Sequence, residues 1–483
     1  MPYVPPQPST LTTPLLGSSY VARSVNAACA RMVNLFPEIV PEGGMEPAFL
    51  NRAPGLRLLQ TVGTGPIRGL WAAQGVLYVV SGGQVFKLDA VDAAPVLLGP
   101  VSGSGPVSIA DNGIQLFFAC SPEGFIYNTQ TGVFSQITDP DFAGAVTVGY
   151  SDGYFIFNEP NSQKVWATQL LDGTSVEPLD FASAEGAPDQ LIALLADHRE
   201  IWMFGADSTE VWYDAGIQDF PFLRVSGAFN EIGCIAAHSV AKLDNGVFWL
   251  GGDARGQGIV YRADGYTGRR ISTHAVEWQI QQYETLSDAV AYTYQQDGHA
   301  FYVLNFPTAD TTWVYDASTD AWHERAGWND GVFARHRGNC QARLGSVIVV
   351  GDYETGDLYA LDLNTYEDNG QPQKWLRSWR ALPAGSNGLR RSTHHALQLA
   401  CESGTGGDTE PQVMLRWSDD GGHTWSREHW RNMGEIGRYE TRVIWRRLGM
   451  TDKLRDRVYE VSGTDPVKLV LLGATLTASA TGA

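Results

Sequence analysis

The ten residues WSDDGGHTWS at positions 417–426 bring serine, aspartate, histidine and threonine together in one short stretch. Ser418, Asp420, Gly422, Thr424 and Trp425 fall into the spacing S-x-D-x-G-x-T-W. A carboxylate near an aromatic ring suggests glycoside cleavage, in which one carboxyl protonates the leaving oxygen while a second group attacks or activates water. The same residues can also build a turn with no substrate. Glycine supplies positive φ, and the Asp420 carboxylate accepts backbone N–H groups. Thr424 and Trp425 then start and anchor the returning strand. The turn is the simpler reading.

The spacing resembles the Asp box of sialidases and other sugar-cleaving β-propellers. A sialidase needs an arginine cluster, a Tyr nucleophile with a Glu partner, and an acidic acid/base. Arg, Tyr and Glu are present here, but nothing in the sequence groups them. Glycosidase propellers usually repeat the box in several blades, whereas here it occurs once. The expectation is therefore a structural Asp box at Ser418, Asp420, Gly422, Thr424 and Trp425, with no catalytic residue.

Other motifs carry as little chemistry. GTGPIRG at Gly63–Gly69 lacks the dinucleotide spacing and the P-loop lysine, so it reads as a loop. His394 and His395 are adjacent and would point to opposite faces of a strand, which suits a solvated pair better than a shared metal. RADGYTGRR at Arg262–Arg270 reads as a solvated turn rather than a phosphate contact. Trp166, Trp212, Trp249 and Trp313 recur at related places and read as core rather than sugar platforms. No metal or cofactor is expected.

The elements that must position these residues are short strands. From about residue 66 a hairpin recurs: an apolar strand after a glycine turn, a loop, then a second aromatic strand often ending near Asp. Copies begin near Gly75, Gly113, Gly153, Arg199, Gly246, Gly298 and Gly345. The repeat length is that of four-stranded propeller blades, with two weaker strands in each gap. One hairpin cannot bury its own faces, so the copies should pack radially about one axis. The predicted fold is all-β: a six- or seven-bladed β-propeller over residues 57–370, preceded by an extended Pro-rich N-terminal arm at 1–56. The arm holds nine of the 24 prolines and should lie over another surface, in this subunit or a neighbour. Six strand-like runs at 371–477 suggest a C-terminal β-sandwich-like domain. Residues 478–483 read as a loose tail.

Composition limits the partners. The chain of 483 residues has net charge −19. From Lys374 onward it carries 16 Lys+Arg against 12 Asp+Glu, leaving 18 against 41 before that point, or +4 against −23. An acidic body argues against ordinary nucleic-acid binding, but not against a surface past which DNA slides without sticking. The first residues, MPYVPPQPSTLTTPLL, lack the basic start of a secretory leader, and no apolar run approaches a membrane span. Five dispersed cysteines read as free thiols in a protein made in the cytoplasm.

Two separated stretches carry a more specific likeness. ARMVNLFPEIVPEGGMEPAFLNRAPGLRLL at 30–59 holds an asparagine-led NLFPE, a variable linker and a PGL. The second is WSDDGGHTWS with the GRYETRVIWRRLG and DRVYEVSG runs that follow it. Both resemble the tail nozzle, or packaged-DNA stabilisation, proteins of short-tailed bacteriophages. The resemblance implies a non-enzymatic virion protein made in the host cytoplasm. It further implies a homohexamer forming a tube below the head-to-tail adaptor ring, through whose lumen genomic DNA passes without specific binding. Tail fibres or spikes and a tail needle or plug are the other implied partners. The alternative is a receptor-binding or polysaccharide-degrading propeller tail protein.

Overall fold

The computed structural model describes residues 8–42, 46–184, 186, 189–217, 220–382, 390–405, 410–452 and 456–480. Seven antiparallel sheets of the repeat region each have a four-stranded core. The first comprises Ile67–Ala73, Val76–Ser81, Gln84–Leu88 and Val96–Pro100 in sequence order from inside to outside. The next five span 108–136, 148–183, 191–230, 233–270 and 290–329.

The seventh is built differently. Strands Gly338–Leu344, Val347–Asp352 and Asp357–Asp362 are completed by Gly55–Thr61 from the N-terminal region. Asp357 pairs with Thr61 and Asp362 with Gly55. This settles the blade count at seven and clasps the circle shut with a strand from the chain's own beginning.

Each blade is covered on both faces, which explains its long buried runs. Gln115–Cys120 and His299–Phe306 are buried at every position. Alternate residues feed different cores. Leu77 and Val79 pack toward blade seven, whereas Tyr78 and Val80 pack toward blade two. Five more such inter-blade cores continue around the circle, the last between blades six and seven, where Phe301 and Val303 meet Val350 and Tyr359. The turns between first and second strands supply the positive φ that tight hairpins need, as at Asp152 (49°) with Gly153 (101°) and Asp297 (50°) with Gly298 (80°).

The C-terminal domain is a two-sheet sandwich that incorporates the arm. One sheet runs Met32–Val33, Trp375–Arg380, Val458–Gly463, Gln412–Ser418, His429–Asn432. The other runs Leu35–Ile39, Ala48–Arg52, Val470–Ala480, Ser392–Cys401, Val443–Met450, with Ser9–Thr12 also on Val470–Ala480. Leu15, Met32, Leu35 and Leu50 are fully buried in its core beside Trp379, Trp445 and Tyr459. The described residues of 8–56 therefore lie on their own subunit, several of them in paired strands, and the expected boundary at 56/57 cuts the strand that closes blade seven. The tail is corrected too: residues 478–480 are strand, and 481–483 lie outside the described residues. Glu324 on the outer strand of blade six pairs parallel with Val33, so the first sandwich sheet continues that blade edge-on.

Candidate functional site

Strand Gln412–Ser418 delivers Ser418 at its end, and the chain returns as His429–Asn432. Between them the Asp420 carboxylate is fully committed to the turn. Its Oδ1 accepts from His423 N–H (3.0 Å), Thr424 N–H (2.8 Å) and the Ser418 hydroxyl (2.6 Å), and its Oδ2 accepts from the Thr424 hydroxyl (2.6 Å). The Ser418 hydroxyl also accepts from Gly422 N–H at 2.8 Å. These bonds, led by that from Ser418, hold the Asp420 carboxyl far below the usual carboxylate range. It is the reverse of a general acid, which needs a raised value.

The neighbouring carboxylate is committed as well. Asp419 takes a bidentate pair from Arg457, Nε and Nη2 both at 2.7 Å, and that guanidinium is buried over the Trp417 ring. Arg457 also donates from Nη1 to the Leu448 carbonyl at 2.7 Å. Arg416 stacks over Trp425 at 4.7 Å and pairs with Glu460. Two carboxylates flanking an open bond are not formed here. The glycines meet the N-terminal segment instead. A Cβ at Gly421 (φ 79°) would lie 1.9 Å from Asn26 Oδ1, and one at Gly422 (φ 103°) would lie 2.9 Å from Cys29 Sγ. The box is thus a compact loop pressed against residues 26–29.

The first strands of the blades enclose a central channel of about 440 Å³, reaching from Arg68 and Trp71 through Asp111, Tyr150 and His238 to Thr293 and Gln341. Its polar groups are largely engaged: Trp71 Nε1 donates to Asp111 at 2.7 Å, and Arg68 donates to the carbonyls of Gly82, Ser102 and Gly105. This volume suits a small ligand and cannot pass a duplex. Among the described residues no group of three or more His, Cys, Asp or Glu could hold a metal.

The remaining sequence candidates sort clearly. Trp166, Trp212, Trp249 and Trp313 are all core. The Gly63–Gly69 loop links the closing strand of blade seven to blade one, and a Cβ at Gly65 would lie 2.1 Å from the Thr355 carbonyl carbon. Arg262 and Arg270 are tied to Asp244 and Glu277. The His394–His395 pair points to opposite faces, but it is not a solvated pair. His394 is buried, with Nδ1 at 2.7 Å from the Tyr459 hydroxyl and Nε2 at 3.0 Å from Ser392 Oγ, while exposed His395 meets Ser479. Burial pushes His394 down to about 3.

What the sequence did not reveal is the joint between the domains. Asn34, fully buried at φ 53°, donates through Nδ2 to the Ala326 and Lys374 carbonyls, both at 2.8 Å. Its Oδ1 accepts from Ala326 N–H at 3.0 Å, so one side chain splices blade six to the sandwich linker. Arg52 donates to the carbonyls of Tyr366, Gln373, Asp465 and Val467, and burial lowers it to about 10. Arg31 clasps Glu324 bidentately. The NLFPE and NRAPGL stretches of the sequence likeness are this joint. A local signal existed only for Asn34, since asparagine tolerates left-handed backbone better than most residues.

Comparison with known proteins gives two adjoining family matches. The family model described as "Bacteriophage P22 Gp10, beta-propeller" matches residues 13–366, and "Bacteriophage P22 Gp10, beta-sandwich" matches residues 374–479. No curated protein matches. Among solved structures, a chain of a mitotic checkpoint complex is 13% identical with TM-score 0.41, covering 68% of this chain and 97% of that one. The extracellular domain of a putative one-component system from B. thetaiotaomicron is 10% identical with TM-score 0.42, covering 84% and 58%. Likenesses this distant carry no argument.

Proposed function

Because the chain belongs to the bacteriophage P22 Gp10 family through both of its domains, and is thus a structural protein of the phage tail, we propose that it is the tail nozzle: a non-enzymatic ring subunit that extends the DNA exit path. The observation that carries this reading is the match of both domains in their chain order, because a propeller alone serves many functions. Six copies form a tube below the head-to-tail adaptor, with fibres or spikes and a needle or plug as further partners. The duplex cannot use the propeller's own channel, so its conduit lies between subunits. A body of net −23 repels phosphate and keeps DNA mobile in a tube that retains it and then releases it.

The polysaccharide-degrading alternative loses its motif, since Asp420 is spent on its own loop. Native mass measurement of tails extracted from particles tests the nozzle reading. Six copies, with a lumen lined mainly by Asp and Glu, are expected. One copy per particle, or a Lys/Arg-lined lumen that grips DNA in a salt-dependent way, would overturn it.

A further inference from the structure

Two exposed patches of opposite character remain outside everything described so far. The first lies on blades three and four. The loop after Lys164–Ala167 is folded on itself by Gln169 and Asp180 and carries Leu170, Leu171 and Leu179, the last 65% exposed. Leu179 faces a cleft of about 640 Å³ shared with Ile217 and Leu223 of blade four. The stretch is acidic: Asp172, Glu177 and Asp180 lie on the loop, and no Lys or Arg occurs between Lys164 and Arg199.

The second patch is the open edge of the sandwich. His429–Asn432 ends one sheet and Val443–Met450 ends the other, and among the described residues no further strand pairs with either outer side. Side chains bridge the two edges instead, Arg431 Nε donating to the Ile444 carbonyl and Trp445 Nε1 to that of His429, both at 2.8 Å. Trp430, Ile436 and Tyr439 stand out here, Tyr439 at 75% exposure. Arginines at 427, 431, 438, 442, 446 and 447 outnumber glutamates at 428, 435 and 440. Isolated exposed apolar residues are ordinary, but clusters of this kind beside one dominant charge mark contacts.

We propose that the arginine-rich open edge of the sandwich docks on the apolar, acidic loops of blades three and four in a second copy of this chain. The sandwich hangs on blade six, and blade three lies three blades away across the disc. The two patches therefore sit on opposite flanks, and neither complements itself. A contact between unlike patches is head-to-tail, and repeated it builds a ring where the rotation between copies closes and an open filament where it does not; the ring is the case in which neither patch stays exposed. Opposite charge sets the partner, and the buried leucines and aromatics supply the contact area. This assignment rests on the ring reading above and names the surfaces that would build it.

Thiol crosslinking of the full-length chain tests it. Tyr439→Cys and Leu179→Cys are made singly and together and treated with a flexible bis-maleimide, with the wild type as blank because its cysteines are buried or half-buried. The double variant should give a ladder of multimers. Each single variant should stay at the blank, and an equal mixture of the two singles should give dimers. Adding Arg442→Glu and Arg446→Glu to the double variant should cut the ladder about tenfold, equivalent to about 1.4 kcal/mol. Dimers from one single variant alone, which mean a self-complementary contact, or no ladder from the double variant, would overturn the assignment. Failure of the tail reading would show separately, as absence of the chain from purified particles.

Discussion

Asn34 offers the sharpest test of how the two domains are joined. Replacing it by glycine keeps the left-handed backbone free of strain but deletes three side-chain hydrogen bonds. At about 1 kcal/mol net each, and with a buried Ala326 N–H left unmet, Asn34→Gly should cost about 3–5 kcal/mol. Asn34→Ala loses the same bonds and keeps a Cβ at φ 53° without asparagine's tolerance of that region, so it should be about 1–2 kcal/mol worse than the glycine variant. Asn34→Asp keeps an acceptor for Ala326 N–H but turns a carboxylate toward two carbonyl oxygens, so it should fall below the glycine variant. Urea unfolding read by tryptophan fluorescence measures the series, since Trp322 of blade six and Trp375 of the sandwich flank the joint. The wild type should unfold in one transition, and the variants should separate a sandwich transition from a propeller one. A loss under about 1 kcal/mol for Asn34→Gly, or an alanine variant as stable as the glycine one, would refute the splice.

The adjacent carboxylates of the Asp box should behave differently. Asp419→Asn strips the charge partner from buried Arg457 and should cost about 2–3 kcal/mol, reduced from the fully buried case because Asp419 is 23% exposed. Asp420→Ala should loosen only the loop and remove no sugar-cleaving or sugar-binding activity; any such activity lost with it would restore the glycosidase reading. Because the Asp420 carboxyl is lowered in the fold, its contribution is present above 3.8 and fades only as pH falls below that, which a box-local hydrogen-exchange series would show. Buried His323, His336 and His394 are each pushed down to about 3, so the unfolded chain takes up their protons first. Stability should be full above 6.5 and fall by about 1.4 kcal/mol per pH unit for each histidine as pH drops toward 3, and His394→Gln should remove one such share. Gly55→Ala would place a Cβ 2.4 Å from the Thr365 carbonyl oxygen and 2.5 Å from that of Glu367, costing about 1–3 kcal/mol and raising amide exchange across 357–362.

The blades were legible because their signal is local. A glycine or aspartate turn flanked by alternating apolar residues predicts a hairpin, and Gly75, Gly113, Gly153, Arg199, Gly246, Gly298 and Gly345 all sit where the first strand turns into the second in successive blades. The closing strand was not legible, since Gly55–Thr61 reads as a lone strand until its partner near 360 is known. Pro-rich spacing suggested an arm, but pairing with distant strands decides that Leu15, Met32 and Leu50 are core. His394 shows the same limit: alternation placed its face correctly, and only Tyr459, on another strand, makes that face buried and polar. The hydrogen bonds of the Asp box were legible because they run between residues two to four apart, but Thr424 and Trp425, expected to start the returning strand in a core, lie before His429–Asn432, the first exposed and the second half-buried.

The clasp of blade seven also sets the order of events on the ribosome. The strands between Ser9 and Thr61 emerge before the blades, yet their partners are made much later: Asp357–Asp362 for the closing strand, and Val470–Ala480 for Ser9–Thr12 and Ala48–Arg52. At 5–20 residues per second, these early strands wait roughly 20–80 s for the rest of the chain. Blades one to six can form meanwhile, so what emerges is an open, unclosed circle with a free strand at its start. Emergence of Asp357–Asp362 lets the circle close first, and the sandwich is completed only when Val470–Ala480 follows.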